Sequence, residues 1–207
     1  MVTNRDHLEL SITHRYGIGA AATDYLEKFY DFIVFFEQAN ERYDPTGIGR
    51  FASYAADRVL PRSGPGINDV REAVQEISKA FRLSPRQVER FVTNVALSYL
   101  AAREKEFRPA VIVTILAAIK TLDHKLYRKA KSGEMTYTEV ADFIVAKEWS
   151  QYDAAHMIKV FRFYLDPSID INSDEWEGFG QNLWNYNLDR TRVISYLANN
   201  VLDRFVV

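Results

Sequence analysis

Cysteine is absent from this 207-residue chain, which excludes disulfides, thiolate zinc sites and thiol catalysis. No apolar run approaches the roughly 18 residues that a membrane-spanning helix needs, and no signal peptide is evident. The sequence therefore reads as that of a soluble, cytoplasmic protein. An excess of positive charge is missing as well. Lys and Arg number 26 against 28 Asp and Glu, a net charge of −2, so no global field gathers nucleic acid, although a local patch could. The sequence also lacks a GxxxxGK[ST] loop, a GxGxxG turn and an HExxH pair. Without a glycine-rich loop, nothing here is built to cradle triphosphate oxygens with backbone N–H groups. His7, His14, His124 and His156 show no metal-ligand spacing, and solvated or capping roles are expected for them.

What is present is a globular composition, 47% hydrophobic and 14% aromatic, enough to bury a sizeable core. Helical periodicity dominates. Leu8, Ile12 and Tyr16 share one face of a short helix stopped by Gly17 and Gly19. The run Phe32-Ile33-Val34-Phe35-Phe36 lacks helical spacing, and it suits either a doubly buried strand or one turn of buried helix. A helix over 46–60 precedes the breaker cluster Pro61–Gly66, a candidate domain boundary. Asn68 is the expected cap of the next helix, whose stripe is Val70, Val74, Ile77 and Phe81. Pro109 opens a long helix expected to run to about Lys131 and to end at Gly133.

Thr136 and Glu139 form a capping box for a helix through Ala146. Helices near 151–165, 173–186 and 188–205 complete an all-α reading, a multi-helix bundle with at most one short strand near residues 32–36. Three segments are expected: 1–60, 61–146 and 147–207. Trp176, Phe179, Trp184 and Tyr186 lie among Asp174, Glu175, Glu177 and Asp189. That acidic setting repels phosphate and favours core packing over base stacking.

The stretch LSPRQVERF, Leu83 to Phe91, carries the strongest local signal. Ser84 is the expected N-cap, Pro85 takes the first helical position, and Gln87 closes a capping box. Phe91, Val95 and Tyr99 give the helix a core face. Its arginines have three possible uses. They can be solvated surface charges. They can belong to a helix-turn-helix, with Arg86, Gln87 and Arg90 aimed at base edges. Or Arg86, in the first turn, can reach a phosphate with the helix dipole behind it. Glu76, Glu89 and Glu104 lie among Arg82, Arg86, Arg90, Arg103 and Lys105, and the connection lacks a turn glycine; both weigh against nucleic acid.

Three short motifs in order resemble the C-terminal part of the KAP-family P-loop NTPases. They are Asn4–Leu8 (NRDHL) with Ser11-Ile12 and Tyr16-Gly17, then Tyr25–Phe29 (YLEKF) ahead of FIVFF, and then Leu83-Ser84, Arg86 and Val88-Glu89-Arg90. The likeness spans about residues 2–146. It implies a helical lid whose Walker motifs lie in a separate ATP-binding core, on the same or another polypeptide. Arg86 matches the lid arginine of a sensor-2-like position, with Arg90 one turn on. Asn4 stands near a sensor-1-like position, where the family more often has aspartate. ATP and magnesium would then come only with that core, and the chain alone would hydrolyse nothing. Membrane-linked signalling and bacterial antiviral defence are the family's settings. FIVFF would be a central strand in such a core. Lacking strand neighbours here, it should be helical or pair across a subunit interface in a homo-oligomer. A nucleotide-independent adaptor bundle is the remaining alternative.

Overall fold

The computed structural model describes residues 47–62, 66–100, 107–145, 147, 149, 154–176, 179 and 188–204. Helix accounts for 76% of these and none lies in a strand, so the all-α expectation holds for them. Asn4–Leu8, Tyr25–Phe29, FIVFF, Arg103, Glu104, Lys105, Trp184 and Tyr186 lie outside the described residues.

Four helices form a ring. Helix α1 (Ile48–Val59) packs on α2 (Ile67–Ala80) and on α3 (Pro85–Leu100), and α4 (Ala110–Leu122) packs on the same two. Helices α2 and α3 are therefore diagonal partners, although only Phe81–Ser84 separates them. Ile48, Ala52 and Ala56 place α1 against the core at four-residue spacing. In α2 the buried stripe is Ile67, Val70, Val74 and Ile77, and in α3 it is Val88, Phe91, Val92 and Val95. Helix α4 is apolar nearly all round, with every residue from Ile112 to Ile119 buried. An all-round apolar helix must be central, and α4 both completes the ring and backs onto a second layer.

That layer holds α5 (His124–Ser132), α7 (Ala154–Leu165) and α8 (Val193–Tyr196), the last continuing into a π-helical segment, Leu197–Leu202. All pack on α4 or on one another, while α6 (Tyr137–Val145) rests on α7. One buried cluster runs without interruption from Ile48 to Leu202. Trp176 is buried, its ring centroid 5.7 Å from Phe163 and 5.6 Å from Phe179. Core packing is thus the use made of this part of the aromatic cluster.

Three expected helices need correction. The single helix from Pro109 to Lys131 is two helices. The Asp123 N–H closes α4 on the Ile119 carbonyl at 2.8 Å, and its carboxylate accepts from the Lys125 and Leu126 N–H groups at 3.0 and 2.9 Å. A side chain that caps the next helix ends the one before it. Asn68 is not a cap either. Gly66 holds that position in the left-handed region, φ 70°, and α2 starts one residue later with buried Ile67. Burial of Ile67 decides the start. The 173–186 helix is present only as the single 3₁₀ turn Asp174–Trp176 among its described residues.

Candidate functional site

The start of α3 is fixed as its sequence implies. The Ser84 N–H donates to Gln87 Oε1 at 2.8 Å, and the Gln87 N–H donates to Ser84 Oγ at 3.4 Å, a reciprocal capping box. The helix before it ends in a Schellman motif: Leu83 N–H reaches the Ser78 carbonyl at 3.0 Å and Arg82 N–H the Lys79 carbonyl at 2.9 Å. Arg82 takes the left-handed position that glycine usually fills, with φ 47°. The missing turn glycine is thus replaced by a strained arginine. Buried Leu83 anchors the corner.

On this frame Arg86 and Arg90 are exposed, one turn apart along α3. Neither has a hydrogen bond or ion pair to another described residue. Glu76, read from sequence as an acidic neighbour of these arginines, is buried in α2 and does not belong to their surface. Glu89 does remain exposed beside them.

Arg90 borders a groove of about 420 Å³ between α3, α4 and α5, which Glu89, Thr93, Asn94, Lys120, Thr121 and His124 also line. Asn94 Nδ2 donates to Thr121 Oγ1 at 3.3 Å, and that hydroxyl donates to the Ala117 carbonyl at 2.8 Å. Lys120 Nζ donates to the Leu202 carbonyl at 2.8 Å and pairs with Asp203 at 3.0 Å. The Asp203 carboxylate also takes Lys131 at 2.5 Å and the Tyr127 hydroxyl at 3.0 Å. Burial works against this carboxylate, but the hydrogen bonds from Lys131, Lys120 and Tyr127 outweigh it and hold its pKa below the ordinary Asp value. Burial, with Asp203 beside it, drives the Tyr127 hydroxyl well above the usual tyrosine range. Tyr127 stays neutral and acts as a donor.

Sequence reasoning singled out Arg86 and Arg90, with Glu89 beside them, and missed the other walls of the groove. One signal was available: Lys120 is the only charge in the apolar run Ala110–Leu122. The groove and the Arg86 turn share one side of α3, whereas Asn4 lies outside the described residues. Among those residues no group of His, Asp and Glu could hold a metal ion, and no helix is long and apolar enough to cross a membrane. Comparison with protein families, curated proteins and solved structures finds no match for this chain.

Proposed function

We propose that this chain is a helical lid or regulatory module that works with a P-loop ATPase core, on the same or another polypeptide. In this reading Arg86 reaches the phosphate of a nucleotide held by that core. The observation that carries it is the state of Arg86. It stands in the first turn of a doubly fixed helix, exposed and without a partner among the described residues. A guanidinium so placed adds its charge to the helix dipole and can bind phosphate through two N–H groups. ATP and magnesium enter with the core and not with this chain. The resemblance of LSPRQVER and the two earlier motifs to KAP-family proteins supports the same role and suggests bacterial antiviral defence as its setting.

The test is affinity purification of the tagged chain from its native cells, followed by an ATP hydrolysis assay on what is recovered. The expected partner carries a phosphate loop. Arg86→Ala should recover the same partner with turnover lowered about a hundredfold, the scale of one lost transition-state donor. Recovery of no ATPase, or turnover indifferent to Arg86, overturns the proposal.

A further inference from the structure

We propose that the groove between α3, α4 and α5 is a binding site for a phosphorylated sugar or polyol. Its volume, about 420 Å³, falls in the range of small-ligand sites and is far larger than a bare phosphate requires. Three basic side chains reach it from three helices: Arg90 from α3, Lys120 from α4 and His124 from the start of α5. Arg90 has no partner among the described residues and offers the planar fork that suits phosphate oxygens.

Lys120 is held in place by the Leu202 carbonyl and Asp203. These engage two of its three N–H groups and leave the third for a ligand. A lysine fixed in this way gives up little side-chain entropy on binding.

The rest of the lining suits hydroxyl groups. Asn94 spends one N–H on Thr121, which leaves its carbonyl oxygen and second N–H for a ligand. Glu89 accepts from hydroxyls and repels phosphate, so it orients the ligand with its phosphate toward Arg90, Lys120 and His124. Among the described residues no Phe, Tyr or Trp lines the groove, and its one ring is the imidazole of His124. A nucleobase would find little stacking face there, and the hydroxyl-matching groups of the lining argue for a sugar or polyol body. Asp123 opposes the positive wall only in part, because its carboxylate is engaged by two N–H groups of α5.

This inference goes beyond the reading of Arg86 and needs no ATPase core. Ribose 5-phosphate titrated into the whole chain at low salt, followed by calorimetry or NMR, is the test. Saturable binding at submillimolar to millimolar concentration is expected, with inorganic phosphate weaker and free ribose inactive. Arg90→Gln and His124→Gln are changes at exposed positions that leave folding intact. Arg90→Gln should weaken binding about tenfold, the scale of one charged hydrogen bond, and His124→Gln by a smaller factor through loss of one ring N–H donor. Absence of saturation by about 10 mM, or binding indifferent to both variants, overturns the proposal. It is also overturned if a single-stranded oligonucleotide displaces the sugar phosphate with affinity that falls steeply in salt, since the phosphate recognised would then be a nucleic-acid backbone. Because the probe meets the chain alone, failure here is separate from failure of the Arg86 assay.

Discussion

Lys120 Nζ lies 3.0 Å from Asp203 Oδ1, which pins the last turn of α4 to the far end of the π-helical segment. Lys131 and Tyr127 of α5 converge on the same carboxylate. Asp203 is therefore the joint of three elements, and only a tenth of its side chain is exposed.

Asp203→Ala should strand the half-buried Lys120 ammonium and leave the Tyr127 hydroxyl with the Ala198 carbonyl, at 3.1 Å, as its acceptor. The expected loss is about 2 kcal/mol, below the figure for a fully buried pair because Lys131 is partly solvated. Urea unfolding measures it. Amide exchange should quicken first over Leu197–Leu202, and a loss below about 0.5 kcal/mol would mean that the joint carries little.

The same carboxylate sets an acid limit. Its pKa is lower folded than unfolded, so its contribution is fully present above the ordinary Asp value of 3.8 and fades as pH falls below it. Asp166 adds in the same direction, held down chiefly by the Ser168 hydroxyl and N–H and further by Arg162. Urea midpoints should be level from pH 7 to about 5 and drop below about 4. Asp203→Asn should flatten that drop.

Arg82 occupies a backbone region that costs an ordinary residue about 1–2 kcal/mol. Arg82→Gly removes that strain and loosens the unfolded chain by about 0.4–1 kcal/mol, so a net gain of up to about 1 kcal/mol is expected. Arg82→Val, with a branched Cβ, should instead lose about 1 kcal/mol or more. Equal melting of the two variants would contradict the strain argument.

Ser84→Ala should cost about 1 kcal/mol through the lost cap. Arg86→Ala, two residues on, should stay within about 0.5 kcal/mol because the side chain is exposed. A large melting shift for Arg86→Ala would make it a structural residue and remove it from consideration as a sensor.

Tyr99 presents a buried hydroxyl without a hydrogen-bond partner among the described residues. Burial, opposed by Arg108 and aided by Asp69, pushes its pKa up to about 12. The Arg108 guanidinium stands 5.1 Å from the centre of its ring, a contact that phenylalanine preserves. Tyr99→Phe should be neutral or stabilise by up to about 1 kcal/mol in thermal melts.

The parts of this fold that were legible in the sequence are those decided within one turn of chain. Both capping boxes form where their residues fall, and the Glu139 carboxylate accepts from the Thr136 N–H at 3.1 Å. The core stripes of α2 and α3 also follow from spacing. The break at Asp123 was harder to read, because a capping aspartate inside an apolar pattern also looks like a tolerated surface residue. The displacement of Asn68 by Gly66 depended on burial of Ile67, a tertiary effect. Of the groove, only Arg90 and its neighbour Glu89 were legible. Asn94, Lys120 and His124 meet through the packing of three helices, and Lys120 finds Asp203 far along the chain, with no local pattern to announce either contact.

The π-helical segment has a further consequence. The Asp203 N–H closes on the Ala198 carbonyl, five residues back, at 3.1 Å. An α-helical course would close one residue earlier and turn Asp203 by about 100° around the axis, away from Lys120 and Lys131. Leu197, Ala198, Val201 and Leu202 form the buried face of the segment. The widened turn thus works as a vernier, a one-residue adjustment of phase that lets a single helical end satisfy both an apolar seat and an ionic one. Deleting Asn199 or Asn200, both exposed, would leave Asp203 four residues from Ala198, so an ordinary α-helical turn should then carry the carboxylate to the same seat.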